Sequence, residues 1–93
     1  MITEVELSRQ AKKQLKKVPN HIVRKFIQWT EDVMLQGLEE VRKITGYHDE
    51  SLLGKRKGER SIRLSKSYRA IYVLKKDGSI EFVYIEEVNK HEY

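Results

Sequence analysis

Residues 68–88 read Tyr-Arg-Ala-Ile-Tyr-Val-Leu-Lys-Lys-Asp-Gly-Ser-Ile-Glu-Phe-Val-Tyr-Ile-Glu-Glu-Val, two β-branched and aromatic runs separated by Asp77-Gly78. Asp-Gly in that position is a hairpin signal, because both residue types tolerate the positive φ that a twist-matched tight turn requires. The reading predicts strands from Tyr68 to Leu74 and from Ile80 to Val88. Just upstream, Ser61-Ile62-Arg63-Leu64 alternates with period two and supplies a third strand of the same meander. Successive strand side chains point to opposite faces, so Arg63 is expected on the face away from Ile62 and Leu64.

Moving toward the N-terminus, a polar loop from Gly46 to about Gly58 precedes the meander, and before it the periodicity becomes helical. Ile22, Phe26, Trp29 and Val33 repeat at i, i+4, i+7 and i+11, flanked by Val23, Ile27 and Met34, with Asn20 placed to cap that helix. Gly37 interrupts it, and Leu38, Val41 and Ile44 extend or restart a short apolar stripe. A first helix, capped by Ser8, carries Ala11, Leu15 and Val18 on one face and Lys12, Lys13, Lys16 and Lys17 on the other, and it ends near Val18 because Pro19 follows. Ile2, Val5 and Leu7 suggest a short opening strand. The order strand, helix, helix, strand, strand, strand gives an α+β fold in one domain spanning residues 1–93. A mostly antiparallel sheet carries the two N-terminal helices on one face and leaves the other open.

Composition narrows the function. A chain of 93 residues suits one modest core, and its 39% hydrophobic content argues against disorder although 35% of it is charged. There is no cysteine, so neither disulfides nor thiolate metal sites are available, and the composition suits a reducing cytoplasm. With no long apolar run and no signal-peptide core, a soluble protein without membrane contact is expected. The net charge of +5 is unevenly placed: nine Lys/Arg between Lys55 and Lys76 face the single acid Glu59, and the remainder is slightly acidic. Such asymmetry favours a polyanion-binding face, with nucleic acid ahead of membrane.

Within this segment Lys55-Arg56-Lys57 and Arg60 are candidates to clamp phosphates, or else a solvated loop. Arg69 lies in a segment otherwise fit for a core and needs an anionic partner, either Glu81 or Glu86 on the next strand or a substrate phosphate. His91 directly follows a strong strand, and an imidazole with an ordinary pKa near ~6.5 suits proton transfer at neutral pH. His21 and His48 carry no such positional signal, and three scattered histidines without cysteine do not suggest a metal site. Glu50 is either a base or a surface acid, and Tyr93 either stacks a base or packs on its own domain. No phosphate-cradling glycine loop or nucleophile elbow occurs.

The segment Ser61-Ile62-Arg63-Leu64-Ser65-Lys66-Ser67-Tyr68-Arg69-Ala70-Ile71-Tyr72 resembles the pattern S-I-R-[VL]-x-x-x-[WY]-R-[IA]-x-[FY] of the RelE/ParE superfamily. These are toxins of bacterial type II toxin–antitoxin systems, and the resemblance has the look of the HigB and YoeB branches and covers nearly the whole chain. It implies a RelE-like fold and a ribosome-dependent mRNA endoribonuclease that works in the 30S A site beside 16S rRNA. No metal or other cofactor is implied, and a cognate antitoxin is the expected protein partner. The chemistry implied is attack of the 2′-hydroxyl on the adjacent phosphate, leaving a 2′,3′-cyclic phosphate and a 5′-hydroxyl.

Carried over by position, the resemblance assigns Glu50 as general base, Arg63 and Arg69 as phosphate stabilisers and His91 as general acid. Lys55, Lys57 and Arg60 become backbone binders and Tyr93 a stacking residue. The chain departs from the YoeB pattern where Glu92 separates His91 from Tyr93, where Ser51 stands in place of a common proline, and in the length of its basic run. Two rival readings are a ParE-like inhibitor of DNA gyrase and a non-catalytic nucleic-acid-binding module.

Overall fold

The computed structural model describes residues 1–90. Its elements are β1 (Val5–Leu7), α1 (Arg9–Leu15), α2 (Asn20–Gln36), α3 (Leu38–Val41), β2 (Glu50–Ser51), β3 (Arg60–Arg63), β4 (Tyr68–Asp77) and β5 (Ile80–Lys90). Single 3-10 turns at Thr45–Tyr47 and Gly54–Arg56 flank β2. The five strands form one sheet in the order β1-β5-β4-β3-β2, antiparallel except where β1 lies parallel to β5.

The hairpin β4–β5 dominates because its runs are long and apolar on the helix-covered face: Ala70, Tyr72, Val83, Ile85 and Val88 are all buried there. A register shift between Ile71 and Tyr72 inserts Glu86 as an extra residue on β5, so Ala70 pairs with Val88 while Tyr72 pairs with Ile85. Both sides of the shift keep their apolar residues on the core. α2 lays Ile22, Phe26, Trp29 and Val33 onto this face, with the Trp29 ring 5.7 Å from Tyr72 and 6.3 Å from Phe26. Burying an aromatic of this size removes roughly 150–250 Å² from water, so this cluster supplies much of the driving force.

Helix starts and stops follow local chemistry. Ser8 Oγ accepts from the Ala11 N–H at 2.9 Å as the cap of α1, and it also donates to the Glu86 carbonyl at 2.8 Å, tying helix to sheet. α1 stops at Leu15, three residues before the expected Val18; Lys16 and Lys17 form a turn, and Pro19 keeps Val18 out of the helical region. α2 is capped by Pro19 and not by Asn20: the proline carbonyl accepts from Ile22 and Val23, and its fixed φ of −58° directs the chain into the helix. Asn20 is simply the first helical residue. Gly37, at φ +85°, separates α2 from α3, where a Cβ would also collide with the Met1 side chain.

Two features were not expected. The loop before β3 contains β2, a two-residue strand pairing Glu50 with Ser61 and Ser51 with Arg60. Ile71 is fully buried on the supposedly open face. Its register partners are Ser61 and Glu87, and Arg56 reaches from the Gly54–Arg56 turn to Glu87, so the loop before β3 covers the middle of that face. No helix among the described residues is long and apolar enough to cross a membrane.

Candidate nucleic-acid site

On the face away from the helices, register puts Arg63 directly opposite Arg69, whose partner on β5 is Asn89. Like charges facing each other across strands are destabilising unless an anion shares them. Among the described residues no carboxylate lies within ion-pair distance of either guanidinium, and Arg69 Nε is buried without a hydrogen-bond partner. Because β2 is only two residues long, β3 is uncovered beyond Ser61. There an open cleft of about 40 Å³ forms, lined by His48, Glu50, Arg63, Lys66, Tyr68 and Arg69.

The acidic wall of the cleft is built around Asp49. Its carboxylate is 1% exposed, accepting from Arg60 Nε at 2.6 Å and from the Tyr72 hydroxyl. Burial, reinforced by Asp49, pushes the Tyr72 phenol well above its ordinary range, so it stays a donor. With Asp49 pinned inward, its neighbours His48 and Glu50 are turned to the cleft, and His48 Nε2 lies 3.5 Å from Glu50 Oε2. His48 holds a left-handed backbone, φ 48° and ψ 50°, which is uncommon for a residue with a side chain.

The basic run divides into two kinds. Arg56 is locked by hydrogen bonds to both oxygens of Glu59 and by a contact to Glu87, and Arg60 is occupied by Asp49 and by Ser51 Oγ at 2.7 Å. Arg60 therefore has a structural duty inside the domain that its place in the charge run did not reveal. Lys55 and Lys57 are exposed to solvent.

Beneath Arg56, Glu59 meets Glu86. Burial and the neighbouring Glu59 raise the Glu86 carboxyl above its usual range. Burial acts against Glu59 too, but hydrogen bonds from Arg56 and the neighbouring Glu86 carboxyl outweigh it and hold Glu59 low. Arg69 is thus not paired with Glu81 or Glu86 in the way a purely structural arginine would be. His91 and Tyr93 lie outside the described residues; β5 is described to Lys90, which pairs with Tyr68 at the cleft edge. Sequence reasoning did not place His48 in this cleft.

A family model described as "ParE toxin of type II toxin-antitoxin system, parDE" matches residues 5–90. The chain belongs to the ParE toxin family, within the RelE/ParE superfamily. This ParE-family toxin also shares its fold with solved toxins at low sequence identity. The YoeB/ParE toxin from Agrobacterium tumefaciens superposes with a TM-score of 0.72 at 13% identity, covering 96% of this chain and 99% of that one. YafQ from E. coli gives 0.73 at 19%, covering 95% and 92%. The RelBE2 toxin–antitoxin complex from Mycobacterium tuberculosis contributes a chain at 0.66 and 20%, covering 98% and 100%. No curated protein matches the chain.

Proposed function

We propose that this toxin is an mRNA endoribonuclease acting in the ribosomal A site by metal-free attack of a 2′-hydroxyl on the adjacent phosphate. The supporting observation is the facing pair Arg63 and Arg69 in a cleft whose opposite wall carries His48 and Glu50. The reaction needs a group that accepts the 2′-hydroxyl proton, fixed cations for the charged phosphorane, and an acid for the departing 5′-oxygen. The two guanidiniums supply the second requirement from fixed strand positions, so they need little reorganisation as charge develops. The Glu50 wall supplies the first. His91 takes the role of acid, with the chain reaching Lys90 beside Tyr68 at the cleft edge. Lys55 and Lys57 add salt-sensitive attraction for the backbone, Arg60 acts by holding Asp49 and the Glu50 wall, and Tyr93 stacks a base.

A cognate antitoxin is the expected partner, as in the solved RelBE2 complex. The family match to ParE favours a second reading, inhibition of DNA gyrase without cutting. The two are separated by incubating the purified toxin with translating ribosomes and, in parallel, with gyrase and relaxed plasmid. mRNA cut to a 2′,3′-cyclic phosphate end with supercoiling unaffected supports the ribonuclease. Loss of supercoiling with intact mRNA overturns it.

A further inference from the structure

Resting on the ribonuclease reading, we infer that His48 takes the 2′-hydroxyl proton and that Glu50 orients it and stabilises the imidazolium that forms. The two side chains are 53% and 58% exposed, so both are reachable from the cleft, and their 3.5 Å approach runs through Nε2. With Nε2 turned toward Glu50, the tautomer protonated there leaves the Nδ1 lone pair as the proton acceptor. An ordinary imidazole is a stronger base than an ordinary carboxylate by roughly two pKa units and is still largely deprotonated at neutral pH, which suits the early proton transfer better. Placement follows from the backbone: Asp49 is anchored by Arg60 and Tyr72, and the left-handed turn at His48, closed by its N–H on the Thr45 carbonyl at 3.0 Å, aims the ring to the cleft side. A strained backbone conformation retained at a reactive wall fits a positioned group better than a surface histidine.

The charged groups that face the ring are Glu50 on β2, Arg63 on β3, Lys66 in the β3–β4 connection and Arg69 on β4, while Asp49 is turned inward. In the reaction the 2′ O–H bond breaks and its proton passes to His48 Nδ1. The 2′-oxygen bonds to phosphorus, the P–O5′ bond breaks, and the 5′-oxygen takes a proton from the general acid. Solvent resets both groups, and no other reactant is consumed.

The test compares His48→Asn and Glu50→Gln with the parent toxin in single-turnover cleavage of ribosome-bound mRNA across pH 5–9. Asparagine is chosen because it tolerates the left-handed backbone. His48→Asn is expected to lose about 100-fold or more in rate and to abolish the acid limb of the profile. Its binding to mRNA carrying a 2′-deoxy sugar at the cleavage point should be unchanged. Glu50→Gln is expected to keep that limb and to lower the single-turnover rate about 10-fold, because the ring loses its orienting carboxylate. Parental rate and limb in His48→Asn, or a parental rate in Glu50→Gln, overturn the dyad while leaving the ribonuclease reading intact. A parent toxin that cuts no mRNA overturns both.

Discussion

Arg56 and Arg60 differ from Arg63 and Arg69 in what surrounds them, although all four come from one basic stretch of the chain. The first pair is neutralised: Arg56 forks onto Glu59 and Glu87, and Arg60 onto the buried Asp49. The second pair faces itself across β3 and β4 with no carboxylate in ion-pair range among the described residues. Charge count alone cannot separate a cation paired within the domain from one left without a carboxylate. Register and burial do so, because an arginine on a strand has a fixed neighbour on each side.

The largest effect that tests this contrast is on stability. Arg60→Ala strands a carboxylate that is 1% exposed, which is expected to cost about 3–5 kcal/mol. A urea midpoint within error of the parent would break the distinction. Arg69→Ala should do the opposite, leaving the melting temperature close to the parent while lowering single-turnover mRNA cleavage about 100- to 1,000-fold. Tyr72→Phe sharpens the role of the Asp49 anchor, since it removes one donor to a buried carboxylate. A loss of roughly 1–3 kcal/mol in denaturant unfolding is expected. Arg56→Ala should cost only about 1 kcal/mol or less, because its side chain is 38% exposed and water screens the pair.

The smallest effect is one of pH. Glu86 holds its proton more tightly in the folded than in the unfolded chain, so its contribution is present in acid and is lost as pH rises through the raised folded value. Glu59 is shifted the other way, and its contribution is present near neutrality and fades as pH falls. Glu86→Gln keeps a neutral group against Glu59 and should therefore melt slightly higher than the parent at neutral pH and no higher in acid. An equal shift at both pH values would show that the two carboxyls do not share a proton.

Much of the fold was readable because it rests on periodicity. The Trp29 stripe, the Ser8 cap and the outward placement of Arg63 follow from side-chain spacing and capping chemistry, and the hairpin forms where expected, although its two loop residues are Gly78 and Ser79, with only Gly78 at positive φ, and Asp77 closes β4 opposite Ile80. β2 was not readable, since two polar residues have no period to detect and it exists only because β3 offers it an edge. Asn20 drew attention as a cap on residue type alone, while Pro19 did the capping with its carbonyl and fixed φ. Glu50, Arg63 and Arg69 are brought to one cleft, but the burial of Asp49 that orients its neighbours is a tertiary fact, and with it the place of His48 in that cleft was hidden. The division of the basic run had the same cause, because the partners of Arg56 include Glu87, which lies 31 residues away.

The central claim is that the Arg63–Arg69 cleft cuts RNA, and the ends of the cut molecule test it most directly. Parent toxin and Arg69→Ala are incubated with ribosomes stalled on a defined mRNA, and the fragments are analysed by mass spectrometry. A single cut at the A-site codon bearing a 2′,3′-cyclic phosphate and a 5′-hydroxyl, made by the parent and nearly absent with Arg69→Ala, is the expected result. Intact mRNA with the folded parent, or a cut made equally well without Arg69, would contradict it.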